Sequence, residues 1–289
     1  MTYRLMQGDA RHYDLEVLSL GAGVQSTAVA LMAAAGQFTP MPNCAIFADT
    51  GWEPKEVYAH LDKLEAALPF PVHRVSAGNI RADVLAALNS SAVGRFGQPP
   101  FYVIQRNGDG TDAGGTLWRK CTTEYKIQPI QRKIRELLGA KKGQQIRDKR
   151  ARQWFGISTD EAHRQKDSRV PWSDNWYPLI DHGLSRNDCL HWLSDHGFGR
   201  PRKSACIGCP YHSNHVWARM KRDYPEEWAD AVEFDALLRA NGNRIPGTVG
   251  ESYLHRRMLP LPEAILKEDR PDQGEFEFMG EECEGMCGV

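Results

Sequence analysis

Several clusters in this chain of 289 residues combine residue types that do chemistry. Cys206-Ile207-Gly208-Cys209-Pro210 sets two thiols three positions apart on a turn, a spacing that lets both sulfurs grip one metal centre. Arg200, Arg202 and Lys203 lie just upstream, where positive charge lowers thiol pKa values. If the fold brings Cys121 to this pair, three soft sulfur ligands suit a [4Fe–4S] cluster. Zinc is the alternative, because Cys206, Cys209, His212 and His215 follow C-x2-C-x2-H-x2-H, although the two histidines are closer than usual for such sites. Two plain reduced thiols are the third reading. Near the end of the chain, Cys283 and Cys287 stand four positions apart in Glu-Cys-Glu-Gly-Met-Cys-Gly, a pair in which one thiol can attack and the other resolve. Their acidic neighbours raise thiol pKa values and oppose that role.

A second kind of chemistry sits nearer the start. Ser19-Leu20-Gly21-Ala22-Gly23-Val24-Gln25-Ser26-Thr27 follows an apolar run and precedes an Ala-rich helical pattern. Glycines let backbone approach a ligand, and the N–H groups at a helix start favour phosphate. The stretch is neither a Walker A loop nor a G-x-G-x-x-G fingerprint. Asp49-Thr50-Gly51 ends the next apolar run; Asp49 is placed to accept from ribose or base or to carry magnesium through water, and the alternative is that Asp49 and Thr50 cap the following helix.

The elements that must hold these groups are legible in outline. Leu15 to Leu20, Cys44 to Ala48 and Pro71 to Val75 read as short strands, with helical spacing over Glu53 to Leu68. Such alternation implies an α/β fold with a parallel twisted sheet covered by helices on both faces, and ligands at the carboxyl ends of its strands. Residues 91–118 lack periodicity and suggest a lid loop. Thr122 to Leu138 reads as a helix, a basic stretch follows over 141–152, and Trp154 to Ile157 suggests another strand. The reading is therefore a nucleotide-binding α/β domain over 1–184, a mostly helical C-terminal subdomain over 185–267 that carries the C-x2-C site, and an acidic flexible tail over 268–289.

With 36 Lys and Arg against 37 Asp and Glu, the formal charge of -1 gives no global positive field for nonspecific nucleic-acid binding, although a local patch is compatible with it. No apolar run reaches the length of a membrane span and no signal-peptide pattern opens the chain, so a cytoplasmic location is expected. Seven cysteines in such a setting fit metal or redox chemistry better than a disulfide framework.

Five ordered motifs carry a family resemblance. Gly21 to Ser26 align with the S-G-G-x-D-S loop of PP-loop ATP pyrophosphatases, with Gly21, Ala22 and Gln25 replacing Ser, Gly and Asp. Asp49 to Pro54 resembles the D-T-G-aromatic-x-x-P turn; Arg119-Lys120-Cys121-Thr122 with Lys126 and Pro129 resembles R-x-C-C/T…K-x-x-P. Gly156 to Arg164 is similar to G-x-R-x-D-E-S-x-x-R, with Ser158 for Arg, and Tyr177 to Asp181 is similar to P-L-x-D-W. Together they resemble the phosphoadenosine phosphosulfate reductase family of the adenine nucleotide alpha hydrolase-like superfamily. The resemblance implies ATP or a related adenine nucleotide, with magnesium, on Ser19, Gly21, Ala22, Gly23, Gln25, Ser26, Thr27, Asp49, Thr50, Gly51, Asp160 and Arg164. It makes Arg119 and Lys126 catalytic cations, and Cys121, Cys206 and Cys209 cluster ligands, with Thr122 in place of a further Cys. The fourth position is then Cys283, Cys287 or an open iron, and the tail cysteines are the catalytic thiols if the tail works as the family's Glu-Cys-Gly tail does. The implied activity is nucleotide-dependent sulfur transfer or redox chemistry; the alternatives are a sulfonucleotide reductase using a tail Cys and an accessory protein that touches tRNA or DNA through 141–152. An electron or sulfur donor protein is the implied partner.

Overall fold

The computed structural model describes residues 12–89, 97–106, 110–241, 244–245 and 250–264. The tail cysteines Cys283 and Cys287 lie outside the described residues. From the start, the chain runs β1 (Leu15–Ser19), α1 (Val24–Ala34), β2 (Cys44–Asp49), α2 (Lys55–Ala67), β3 (Val72–Ser76), α3 (Ile80–Asn89), β4 (Tyr102–Arg106) and β5 (Asp112–Thr116). A π-helical stretch (Thr122–Ile127) leads without a break into α4 (Gln128–Leu137). Then come β6 (Ala151–Phe155), a 3-10 turn (Thr159–Arg164), β7 (Ser173–Trp176), α5 (Pro178–Asp181), α6 (Arg186–Asp195), α7 (Asn214–Asp223), α8 (Pro225–Asn241) and β8 (Ser252–Tyr253).

Five of the strands form a parallel sheet in the order β3-β2-β1-β6-β7. Side chains alternate across it. Leu18, Ala45, Phe47 and Trp154 face α1, α2 and α6, while Leu15, Val17, Cys44 and Ile46 face α4. The α/β class with helices on both faces is thus the observed one. Glu16 breaks the apolar run of β1 because its carboxylate takes bonds from Arg152 Nε (2.8 Å) and Trp154 Nε1 (2.7 Å) on the neighbouring β6. The chain winds outward from β1 through β2 to β3 and later returns to β6 on β1's other side, so the order reverses between β1 and β6. Crevices for ligands open at such reversals, beyond the carboxyl ends of the strands.

The sequence reading of 91–118 changes. Within 91–118, β4 and β5 pair antiparallel and β8 adds to β4, so this segment carries a small sheet where aperiodicity suggested a loop. Gly114 and Gly115 lie inside β5 and erase its apolar alternation. Helix α6 buries Cys189 and Leu193 in the core with α1, whereas α7 and α8 share a second core with α3 and β4 through Trp217, Phe234, Val84 and Val103. Helices α7 and α8 meet at Pro225, whose ring cannot continue the first. Among the described residues no helix is long and apolar enough to cross a membrane.

Candidate functional site

The loop after β1 enters α1 through Gly23, which supplies no side-chain cap, and the first turn of α1 holds no acidic residue. Every residue from Leu15 to Ala33 is buried. A buried, uncapped helix start concentrates N–H groups and positive dipole in one place, a setting that favours an anion. Ala22 takes φ 57, a left-handed conformation that glycine adopts without strain. Gly156, just past β6, presses on the same loop. A Cβ on Gly156 would stand 2.5 Å from Ser26 N and 2.7 Å from Ser26 Cα, both backbone atoms. Gly156→Ala is therefore expected to displace the loop and cost about 1–3 kcal/mol, read from denaturant midpoints; an unchanged midpoint would show that the loop gives way freely.

The polar side chains of this loop are engaged internally. Ser19 Oγ accepts from Gln153 Nε2 at 2.5 Å, Ser26 Oγ donates to Gly23 O at 3.4 Å, and Thr27 Oγ1 meets His60 Nε2 at 3.0 Å. Gln25 is fully buried. Its Nε2 donates to Glu161 Oε2 at 3.2 Å and its Oε1 accepts from Arg186 Nη1 at 2.9 Å. Arg164 pairs with the other Glu161 oxygen at 2.6 Å. Asp160 accepts from Ser158 Oγ and from the backbone N of Arg186, so it ties the 3-10 turn to α6. Gln25, Asp160 and Arg164 thus stand together in one network, along with Glu161 and Arg186, which the sequence did not single out.

Beyond β2, Asp49 Oδ1 accepts from Gly51 N and Tyr58 Oη, each at 2.7 Å. It braces its own turn, while Pro54 precedes α2 without any side-chain cap. Gly51 has φ 72, and a Cβ there would crowd Asn79, whose amide donates to Gly51 O at 2.7 Å. Thr50 points to a pocket that also receives Trp52, Arg119, Cys121, Thr122, Lys126, Cys206 and Cys209. Three motif segments far apart in sequence meet here. The π-helical turn matters to this, because both Tyr125 and Lys126 are buried on it; π turns recur at functional sites.

A buried carboxylate that was not marked from sequence, Glu53, organises the pocket wall. Thr50 Oγ1 donates to it at 3.1 Å, Ser204 Oγ at 3.4 Å, and Lys126 Nζ lies 3.8 Å away. Cys206 Sγ is 3.2 Å from Thr50 Oγ1 and 4.0 Å from Glu53 Oε1. Burial pushes the Cys206 thiol well up, and the Glu53 charge adds to this against an opposing pull from Lys126. Expectation that Arg200, Arg202 and Lys203 would activate this thiol is thus not met; they face the opposite side of the loop. Gly208 packs under Trp52 so closely that a Cβ would stand 2.1 Å from the indole ring.

The donor set for a metal centre is less complete than its motifs. Cys121, Cys206 and Cys209 line one pocket, yet among the described residues no group of three or more His, Cys, Asp or Glu stands ready to hold a metal ion. The zinc set does not assemble either. His212 Nε2 bonds the carbonyl of Cys206 at 3.0 Å, and its ring lines a different cleft from the thiols. Burial drives its pKa down to about 3, so it is a neutral imidazole. Among the described residues the thiols make up neither a ready cluster site nor a ready zinc site. The basic stretch 141–152 is partly committed to the fold: Lys149 Nζ bonds Leu138 O, Arg150 pairs with Asp174 and Arg152 with Glu16.

Comparison with solved structures finds a similar fold. Over 65% of this chain and 76% of the other, it is similar to the phosphoadenylyl-sulfate (PAPS) reductase from Candida auris, a crystal structure of a phosphate complex, with a TM-score of 0.40 and 14% sequence identity. No family model and no curated protein matches the sequence.

Proposed function

We propose that the chain is an adenine-nucleotide-dependent enzyme of sulfur chemistry, with the nucleotide at the carboxyl edge of β1 and β2 and the thiol pocket beside it. The observation that carries this is the convergence of Thr50, Lys126, Cys121, Cys206 and Cys209 on one pocket from three separate segments. The next strand over leads into a buried, uncapped helix start, which suits the ligand's phosphate. Arg119 and Lys126 supply charge-assisted donors to phosphate or sulfate oxygens. Cys206 and Cys209, if they close to a disulfide, release two electrons and two protons. With a sulfonucleotide as substrate, one thiol attacks sulfur and expels the adenylate; the second attacks the resulting S-sulfonate and releases sulfite. Gln25 stands where the PP-loop motif has a carboxylate, which favours a role for the nucleotide as a bound group or leaving group over magnesium-assisted pyrophosphate release.

Calorimetric titration of the full chain with ATP, adenylyl sulfate and its 3′-phosphate tests the reading. One adenine compound should saturate a single site, and Lys126→Ala should weaken it at least about tenfold, as removal of a charged hydrogen-bond partner does. Failure of all three compounds to bind the reduced protein would end the proposal.

A further inference from the structure

On the other side of the 200–212 loop from the thiols lies a second cleft, between α2, α6 and α7, with a volume of about 460 Å³. Small-molecule sites span roughly 300–1,000 Å³. Several cations line it, but much of their charge is balanced in place. Arg219 Nε lies 3.7 Å from Asp223, and Arg202 Nη2 bonds Glu227 at 2.6 Å. Recognition here rests on the atoms that these pairings leave over, not on a general positive field.

Two such atoms belong to residues of the lining. Arg202 stacks 3.9 Å over Tyr224, and this contact together with the Glu227 bond fixes the plane of its guanidinium. Its other prong, Nη1, is buried and has no hydrogen-bond partner among the described residues. Glu56 Oε2 stands 3.7 Å from it, too far for a hydrogen bond, and accepts from Tyr224 Oη at 2.8 Å instead. His212, 9% exposed, supplies the second atom. Burial, aided by the charges of Lys203 and Arg202, keeps its ring neutral. Its Nε2 faces the carbonyl of Cys206, which can only accept, so the one ring proton sits on Nε2. Nδ1 is then a bare acceptor, and it too is buried without a partner among the described residues. Covered polar atoms in native proteins are nearly all bonded, so a donor and an acceptor left over in the wall of one cleft call for a ligand.

We infer that this cleft binds a small hydroxylated organic anion, with its oxyanion on Arg202 and its hydroxyl on His212. A guanidinium prong selects a charged oxygen. His212 Nδ1 rejects that oxygen, because lone pair would face lone pair, and requires a donor. A ligand ammonium would meet the charges of Lys203 and Arg202, whereas a hydroxyl meets no such penalty. Phe198, Pro201, Val216 and Met220 complete the lining and suit a carbon skeleton, which a bare ion lacks.

Calorimetry on the full, reduced chain with two matched pairs tests this: glycerol 3-phosphate against propyl phosphate, and glycerate against propionate. The hydroxylated member of at least one pair should bind once per chain, and its match about tenfold more weakly, because His212 Nδ1 stays unpaired. The pair that responds tells phosphate from carboxylate. Arg202→Lys keeps the charge, loses the fork and should weaken binding about tenfold or more. Should that variant unfold by circular dichroism, Ala59→Trp decides. Ala59 is an exposed residue of α2 in the lining, so the indole fills the cleft without entering the core, and binding should be lost. No binding of glycerol 3-phosphate or glycerate at millimolar concentration would overturn the inference. So would equal binding of the matched compounds, equal binding of inorganic phosphate as an adventitious ion only, or full affinity in folded Ala59→Trp. The inference does not rest on the adenine-nucleotide reading. Lys126→Ala should leave this binding unchanged, and competition with an adenine compound would merge the two sites and overturn it. Failure of the adenine compounds with cleft binding intact sinks the other reading alone.

Discussion

Replacing Glu53 by alanine is expected to cost about 3–5 kcal/mol of folding stability, the range for stripping one partner from a buried ion pair. Glu53 is 4% exposed and Lys126 6%, so solvent cannot take over the neutralisation of the ammonium when its carboxylate partner is removed. The same change takes an acceptor from Thr50 and Ser204, both buried. Glu53→Gln keeps the volume and an acceptor oxygen, and should cost less, about 1–3 kcal/mol. It also removes the negative charge that helps raise the Cys206 thiol. Cys206 in Glu53→Gln should therefore alkylate faster with iodoacetamide at fixed pH, counted by mass spectrometry on folded protein. Urea unfolding within 1 kcal/mol of the wild type for Glu53→Ala, together with unchanged alkylation in Glu53→Gln, would show that the carboxylate does not organise the pocket.

Sequence pattern made the parallel sheet visible because its strands are short apolar runs ended by Gly-rich turns, and a strand buried on both faces has little else to say. Nothing in that pattern marks the partner of a buried charge. Glu16 looks like a fault in β1 until Arg152 and Trp154 arrive from a strand more than a hundred residues later. Glu53 looks like the solvent face of a helix start, yet the fold sets Lys126, Ser204 and Cys206 around it. Cys121 and the C-x2-C pair were legible as chemistry through residue type and spacing, and their common pocket needed the fold. The antiparallel strands β4 and β5 escaped notice because glycines and exposed polar residues make up β5, so no period of two survives. The cleft lined by Arg186, Arg200, Arg202, Lys203 and Arg219 was illegible for a similar reason. Its cations come from three separate segments, whereas the basic run that stands out by eye, 141–152, spends Arg150 and Arg152 on pairing with Asp174 and Glu16.

Placing a carboxylate in the β1–α1 region by Gln25→Asp should destabilise the protein by about 2–4 kcal/mol at neutral pH, the cost of breaking a buried polar network with a like charge. Gln25 is fully buried and bridges a carboxylate to a cation, donating to Glu161 and accepting from Arg186. An aspartate there still suits Arg186 but sets a second negative charge toward Glu161, with no donor between them. The folded-state pKa of the new carboxyl would then lie above its unfolded value of about 3.9. A group raised in this way is least costly below the unfolded pKa and becomes costly as pH rises through the folded one, so the deficit should grow from about pH 4 toward neutrality. Adding Glu161→Gln swaps the amide to the other side and should recover about 1–2 kcal/mol, measured as the coupling energy of a double-mutant cycle in urea. If Gln25→Asp is instead neutral and gains magnesium-dependent pyrophosphate release from ATP, the glutamine is a removable block on PP-loop chemistry. If the deficit and its rescue appear without such release, residue 25 serves to lock the loop against the 3-10 turn and α6.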